Sequence, residues 1–301
     1  MQEPDRAQQA SPWHEGELAV QRLAGVVERM EEVGKRVIRP FMPDQHRLFF
    51  AGLPFVLVGS VDEEGWPFAS ILSGEPGFVQ SPDAVTLDIA ARPSSDDPLA
   101  GTLKLGTRLG VLGIDLSTRR RNRVNGEIVR VDAEGFCLHV DQSFGNCPKY
   151  IQPRRSIGPA PARGTGAPAP VESFTLFDKR ALALIAEADT FFVASSAPAT
   201  DSRAPSVDVS HRGGAAGFLR LTSDGAISIP DYPGNLFFNT LGNLMVNPRA
   251  GLLFMDFDRG DLLQMTGVTE IAWQEHAWRF TLSHGRWLNG RMPLHFERIG
   301  S

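Results

Sequence analysis

The chain has 301 residues, 42% hydrophobic and 22% charged, a balance that excludes wholesale disorder and leaves room for two cores. Its formal net charge of -5 and pI near 5.8 exclude a general nucleic-acid binder, which needs a basic face to displace phosphate counterions. The N-terminus is polar and acidic and no apolar run reaches spanning length, so a cytoplasmic protein without a membrane partner is expected. Cys137 and Cys147 are the only cysteines, which leaves neither a disulfide framework nor a four-ligand zinc pattern, and no metal site is expected.

Over about residues 17–37, Leu23, Val26, Val27, Met30 and Val33 recur at helical spacing, which predicts one amphipathic helix ended by Pro40 and Pro43. Short apolar runs then alternate with turn signals, with strands expected at 54–60, 66–72, 84–90, 109–116 and 125–132. This is the pattern of an antiparallel meander. It has no strand-helix alternation and no GxGxxG fingerprint, so a barrel or sandwich is expected rather than a doubly wound sheet. Residues 159–170, PAPARGTGAPAP, cannot build a core and read as a linker. The chain therefore divides into 1–158, with the helix and a first β domain, the 159–170 linker, and 171–301, a second β domain.

The second part opens with a helix over about 178–188, where Phe177, Ala181, Leu184 and Ala188 share a face. Strands follow at 189–196, 204–211, 217–222, 226–231, 249–257 and 261–271, with a hairpin turn at Asp224 and Gly225. The Trp-, His- and Arg-rich stretch 272–297 reads as a last strand and a packed tail.

The two parts repeat one another. GTRLGVLGID at 106–115 matches NPRAGLLFMD at 247–256 at an offset of 141, and Gly126 then falls on Gly267. Upstream the offset becomes 140, where PGFVQ (76–80) meets AGFLR (216–220), and then 136, where LPFVLVGS (53–60) meets DTFFVASS (189–196). A repeat of this length implies duplicated domains that can pack as an internal pseudo-dimer.

Chemistry-bearing residues concentrate in the second copy. DVSHRGG (208–214) follows a strand and sets a hydroxyl, an imidazole and a guanidinium beside two glycines that let backbone approach a ligand. Residues 229–243, IPDYPGNLFFNTLGN, supply Asn, Thr and Gly at the start of a short helix, where free N–H groups suit an anion, although N-capping and turn formation explain the same residues. Ser210 and His211, adjacent on a strand, point to opposite faces, which rules out a Ser-His-Asp hydrolase built on Asp208.

The run 217–271, together with the basic strand before it, resembles the core of the pyridoxamine 5′-phosphate oxidase-like proteins. These are FMN-binding split β-barrels in which a basic strand, a polar helix start, a helix ending in NPR or similar and a long hairpin ending in Gly follow in order. The resemblance covers about 188–271 well and 53–131, through the repeat, less well. It implies a mostly β chain with flanking helices (α+β), built as two tandem split β-barrels packed as a pseudo-dimer. It further implies an FMN cofactor with its ring at the seam between the barrels.

Mapped by position, the resemblance makes Arg212 and Arg220 the basic strand residues, with Ser210 and Gly213 lining the ring. Asn239, Thr240 and Asn243 sit at the phosphate-binding helix start, and Gln264 lies on the hairpin strand that reaches across. The chain departs from the family at Leu236, Asn239 and Thr240, where Arg or Lys is common, so the phosphate is gripped by fewer charges. In the first copy the matching stretch, 91–101, carries Asp96 and Asp97, which repel phosphate and leave FMN to the second copy. The first copy does bring four arginines within 117–123, a run that either is a solvated turn or aims charge at an anion across the seam. It ends in SFGNCPKYIQPRR (143–155), where Lys149 and Arg154 are candidates for a phosphate or a nicotinamide dinucleotide.

The implied activity is that of a flavin-dependent oxidoreductase moving hydride or electrons between bound FMN and a small-molecule substrate or reduced nicotinamide cofactor, with no catalytic base assigned. His211 is the best placed proton donor. The alternatives are a non-catalytic carrier of flavin, haem or deazaflavin, and an assembly module without cofactor. Because single-domain relatives form the flavin site between subunits, the tandem chain is expected as a monomer with an internal pseudo-dimer or as a homodimer.

Overall fold

The computed structural model describes residues 11–160, 169–201 and 203–299. It is mostly β, with curled antiparallel half-barrel sheets and few helices. Among the described residues no helix is long and apolar enough to cross a membrane.

Two helices open the chain where one is predicted. α1 (Glu15–Leu23) and α2 (Val27–Val37) are separated at Gly25, whose φ of 67° takes the backbone out of the helix. α1 begins with a capping box in which His14 accepts from the backbone and Glu17 reaches back to the His14 N–H. A third helix, α3 (Asp44–Ala51), follows Pro43.

The first sheet contains β1 (Phe55–Val61), β2 (Pro67–Ser73), β3 (Val79–Gln80), β4 (Thr86–Ile89), β5 (Arg108–Asp115), β6 (Arg120–Val131) and β7 (Phe136–Asn146), in the order β2-β1-β5-β6-β7-β4-β3. A short helix, α4 (Leu99–Thr102), precedes β5. β8 (Arg154–Pro159) and β9 (Glu172–Phe174) lie between the halves, with α5 (Lys179–Glu187) next, capped by Asp178. The predicted linker begins inside β8, at Pro159, and residues 161–168 lie outside the described residues.

The second sheet contains β10 (Thr190–Ala197), β11 (Ser206–Gly213), β12 (Arg220–Leu221), β13 (Ile227–Pro230), β14 (Arg249–Asp256), β15 (Asp261–Ala272) and β16 (Ala277–Leu288), with α6 (Asn239–Val246) before β14. Its order, β11-β10-β14-β15-β16-β13-β12, repeats the first sheet strand for strand, and β9 is added beside β16. Finally β17 (Leu294–Arg298) pairs with β8, returning the end of the described chain to the end of the first half.

Strand pairing corrects one register of the repeat. Leu57 faces Leu112 and Phe192 faces Leu253, so with Leu112 matched to Leu253 the offset on β1 and β10 is 135, not 136. Side-chain alternation agrees. Val56 and Val58 enter the core of the first half, Phe191 and Val193 that of the second, while Leu57 and Phe192 meet in a third cluster shared by both sheets. β1 and β10 are buried on both faces, which explains their unbroken apolar runs.

The sheets pack closely at two matched glycines. A Cβ at Gly110 of β5 would lie 2.5 Å from the Val207 carbonyl of β11, and one at Gly251 of β14 would lie 2.1 Å from the Pro67 carbonyl of β2. At one end of this seam α1 crosses α6, where a Cβ at Gly16 would lie 2.0 Å from the Gly242 carbonyl. α1, placed with the first domain by sequence, thus packs on the second.

Candidate functional site

A cleft of about 890 Å³, its open mouth included, lies between the halves. The first half contributes Arg121 and Arg123 of β6 and the segment after β7 that carries Cys147, Lys149 and Tyr150; the second contributes Ser210, His211, Arg212 and Gly213 of β11 and the start of α6. DVSHRG lies wholly within β11, which runs two residues past the strand expected at 204–211.

Alternation along β6 turns Arg121 and Arg123 to the same side, toward the second half. Arg123 is 2% exposed. Its Nη1 donates to Asn239 Oδ1 at 3.0 Å, and its Nη2 donates to the Val209 carbonyl at 3.0 Å and to Ser210 Oγ. Asp208 Oδ1 lies 3.1 Å from Nη1 and also accepts from Asn125 at 2.8 Å. Burial lowers the Arg123 pKa, and the charge of Asp208 acts against that shift.

Arg121 differs in having no carboxylate within ion-pair distance among the described residues. It donates to the Cys147 carbonyl at 2.8 Å, to His211 Nδ1 at 3.2 Å and to the His211 carbonyl at 3.4 Å. Burial, then repulsion from Arg123 and Arg212, brings its pKa down to about 10, still a full cation at neutral pH. Because Arg121 can only donate, His211 Nδ1 is the acceptor and Nε2 carries the proton. Burial and then Arg121, Arg212 and Arg154 hold this imidazole well below its usual pKa, so it is neutral. Among the described residues His211 Nε2 is buried with no partner, as are Arg123 Nε, Arg212 Nε and Asn146 Nδ2.

Another wall of the cleft is the approach to α6. Leu236 and Phe238 adopt φ of 64° and 60°, sparsely populated values for such side chains, and Tyr150 across the cleft adopts 66°. Among the described residues no side chain caps the first turn of α6, whose residues Asn239, Thr240 and Leu241 line the cleft. Tyr150 stands with its ring 5.0 Å from that of Tyr232 and donates its hydroxyl to the Pro233 carbonyl at 3.1 Å. Gly213 is required by protein backbone, since a Cβ there would lie 2.2 Å from the Tyr150 carbonyl.

Behind this wall α1 fixes the helix start. Glu17 Oε1 accepts from Asn239 Nδ2 at 2.5 Å, Gln21 donates to the Phe237 carbonyl at 3.3 Å, and His14 Nε2 lies 2.8 Å from Asn243 Oδ1. Burial, reinforced by Asp208, pushes Glu17 up to about 8, against the hydrogen bonds from His14 and Asn239. A folded-state pKa above the ordinary 4.5 means a stabilisation that is complete below about pH 4.5 and lost as pH rises to about 8. At 1.36 kcal/mol per pH unit the loss is at most about 5 kcal/mol. Urea unfolding at pH 5, 7 and 9 is expected to show this decline in the wild type and a flattened profile in Glu17→Gln. Parallel profiles would contradict the assignment to Glu17.

Of the residues named from sequence, Lys149, Ser210, Arg212, Gly213, Asn239 and Thr240 line the cleft. Three do not. Arg220 lies exposed on the edge strand β12, so the basic-strand role falls to Arg212 alone, and Arg212 pairs with Asp231 at 2.9 Å. Asn243 is fully buried one turn into α6, where it donates to Ser195 Oγ and Asp208 Oδ2, each at 3.0 Å. Gln264 reaches across the seam, but to Ala69 and Asp97 of the first half. Arg154, a candidate for phosphate, is committed to Asp189 at 2.8 Å. Arg121 and Arg123 were visible only as members of a basic run, and no signal in the sequence brings Glu17 to a residue more than 200 positions away.

No protein-family model matches this chain, and neither does any curated protein.

Proposed function

We propose that the cleft is an FMN site, that the two matching sheets are tandem split β-barrels packed as a pseudo-dimer, and that the protein is a flavin-dependent oxidoreductase. The observation that carries the reading is Arg121, a cation lowered by burial yet provided with hydrogen-bond acceptors and no carboxylate, beside an uncapped helix start. Such a pairing suits an anionic group such as a phosphate. The unpartnered donors at His211 Nε2 and Asn146 Nδ2 and the Tyr150–Tyr232 pair fit a planar heteroaromatic ligand carrying acceptor atoms.

In this reading Arg121 and Lys149 hold the phosphate together with Thr240 and the first N–H groups of α6. Arg123 keeps Asn239 and Ser210 in position, and Tyr150 and Tyr232 cover the ring. His211 holds its proton on Nε2 as a neutral donor. When bound, the flavin supplies the acceptor for hydride or electrons, chemistry for which the protein needs to give position and charge rather than a base. The small substrate enters by the open mouth. Turnover of reduced nicotinamide cofactor with bleaching of the flavin separates this oxidoreductase from an inert carrier.

The test of the anion site is a comparison of FMN with riboflavin, titrated against the wild type and Arg121→Ala. FMN is expected to bind the wild type at least about tenfold more tightly than riboflavin, and Arg121→Ala to erase most of that difference, as expected for a charge-assisted bond worth about 1.5–3 kcal/mol. Equal affinity for the two flavins in the wild type would overturn the phosphate assignment.

A further inference from the structure

The matching sheets allow the cleft to be compared with its own counterpart in the first half. Through the strand registers Ser210 falls on Ser70, His211 on Ile71, Arg212 on Leu72, Arg123 on Gln264 and Arg121 on Leu262. Asp97, just before α4, takes the place that Asn239 holds at the start of α6.

The hydrogen bonds of the two places mirror each other. Arg123 donates to the Val209 carbonyl, Ser210 Oγ and Asn239 Oδ1; Gln264 donates to the Ala69 carbonyl at 3.1 Å, Ser70 Oγ at 3.4 Å and Asp97 Oδ2 at 3.1 Å. Their chemistry is opposite. Arg121, Arg123 and Arg212 are replaced by Leu262, Gln264 and Leu72, the neutral Asn239 by a carboxyl, and Phe144 by Arg286. Ser70, Asp97 and Gln264 are 0%, 7% and 1% exposed, and Ser70 donates to Asp97 Oδ1 at 2.5 Å. Ser70, Asp97 and Gln264 are thus spent on internal hydrogen bonds, and the Asp97 carboxyl offsets the one charge that Arg286, across from Gln264 in the sheet, brings to this place.

We propose that the first half's counterpart of the cleft is a sealed, former ligand site, so that each chain takes one ligand, at the cleft where the first half lends Arg121 and Arg123 to the second. Duplication has in this way divided the labour: the second copy supplies β11 and the start of α6, and the first lends Arg121 and Arg123.

The identity of the ligand rests on the proposed flavin reading, so the test is arranged to fail separately from it. The full chain is titrated with FMN at protein concentrations well above Kd. One equivalent per chain is expected. Two equivalents would overturn the sealed-site inference and leave the flavin reading standing, whereas no uptake would overturn both. Variants supply a second readout that does not depend on counting. Arg123→Gln is expected to weaken FMN at least about tenfold and Asp97→Asn to change it less than about twofold. A loss in Asp97→Asn equal to that in Arg123→Gln would contradict the asymmetry.

Discussion

Arg123→Ala is expected to lower the unfolding free energy by about 3–5 kcal/mol and to abolish FMN binding. The guanidinium sits among Asp208, Ser210, Asn239 and the Val209 carbonyl, contributed by the other half of the molecule. Removing it leaves Asp208 buried at 4% exposure with two amides as its remaining donors, and it leaves Asn239 held at the helix start by Glu17 alone. Breaking one side of a buried pair costs more than never having built it, because the remaining charge loses its partner without regaining water. Arg123→Met/Asp208→Asn, which removes both charges, should therefore recover part of the stability but none of the binding. Urea unfolding checks the first effect and flavin titration the second. A stability change below about 1 kcal/mol would mean that Arg123 is not the ion that holds Asp208.

Gly251→Ala is expected to cost about 3 kcal/mol or more, the upper range for overpacking, because the added methyl would lie 2.1 Å from a backbone carbonyl rather than from a movable side chain. Relief requires β14 and β2, hence the two halves, to move apart. Gly110→Ala should act in the same direction for the matching reason, its methyl falling 2.5 Å from the Val207 carbonyl. The control is Gly101→Ala: this residue lies in α4 with no atom within 4 Å of a new Cβ, so alanine should be neutral or mildly stabilising. Thermal melts of the three variants decide it. A Gly251→Ala protein as stable as the control would contradict close approach of the sheets at that point.

The repeat was legible because Gly110 and Gly251 are fixed by this same crossing, and because their flanking strands keep apolar residues at matched positions. The register of β1 against β10 was not legible. Both strands are buried on both faces, so the alternation that usually reveals parity is hidden, and a slip of one residue leaves the apolar pattern intact. The break between α1 and α2 rests on one glycine at positive φ inside an otherwise helical spacing, a feature that periodicity overlooks.

The site was legible in part for a similar reason. Ser210, Arg212, Asn239 and Thr240 belong to compact local motifs, and they line one cleft. The arginine run was visible as charge, but choosing Arg121 and Arg123 over Arg120 requires knowing which side of β6 faces the seam. Arg120 instead donates to the Gln45 carbonyl and lies over the Phe49 ring. Gln264 was expected to cross the seam and does cross it, though into the place that mirrors the cleft. Glu17 caps α1 within a local motif, but its link to Asn239 exists only through the docking of α1 on α6.

The most direct measurement is the absorption spectrum of the full chain as purified and after addition of FMN, with the released small molecule identified by mass after denaturation. Flavin bands that stay with the protein through gel filtration, and release of FMN, are the expected result. A colourless protein that leaves added FMN in the small-molecule fraction would contradict the proposed cofactor site and favour a duplicated barrel serving only in assembly.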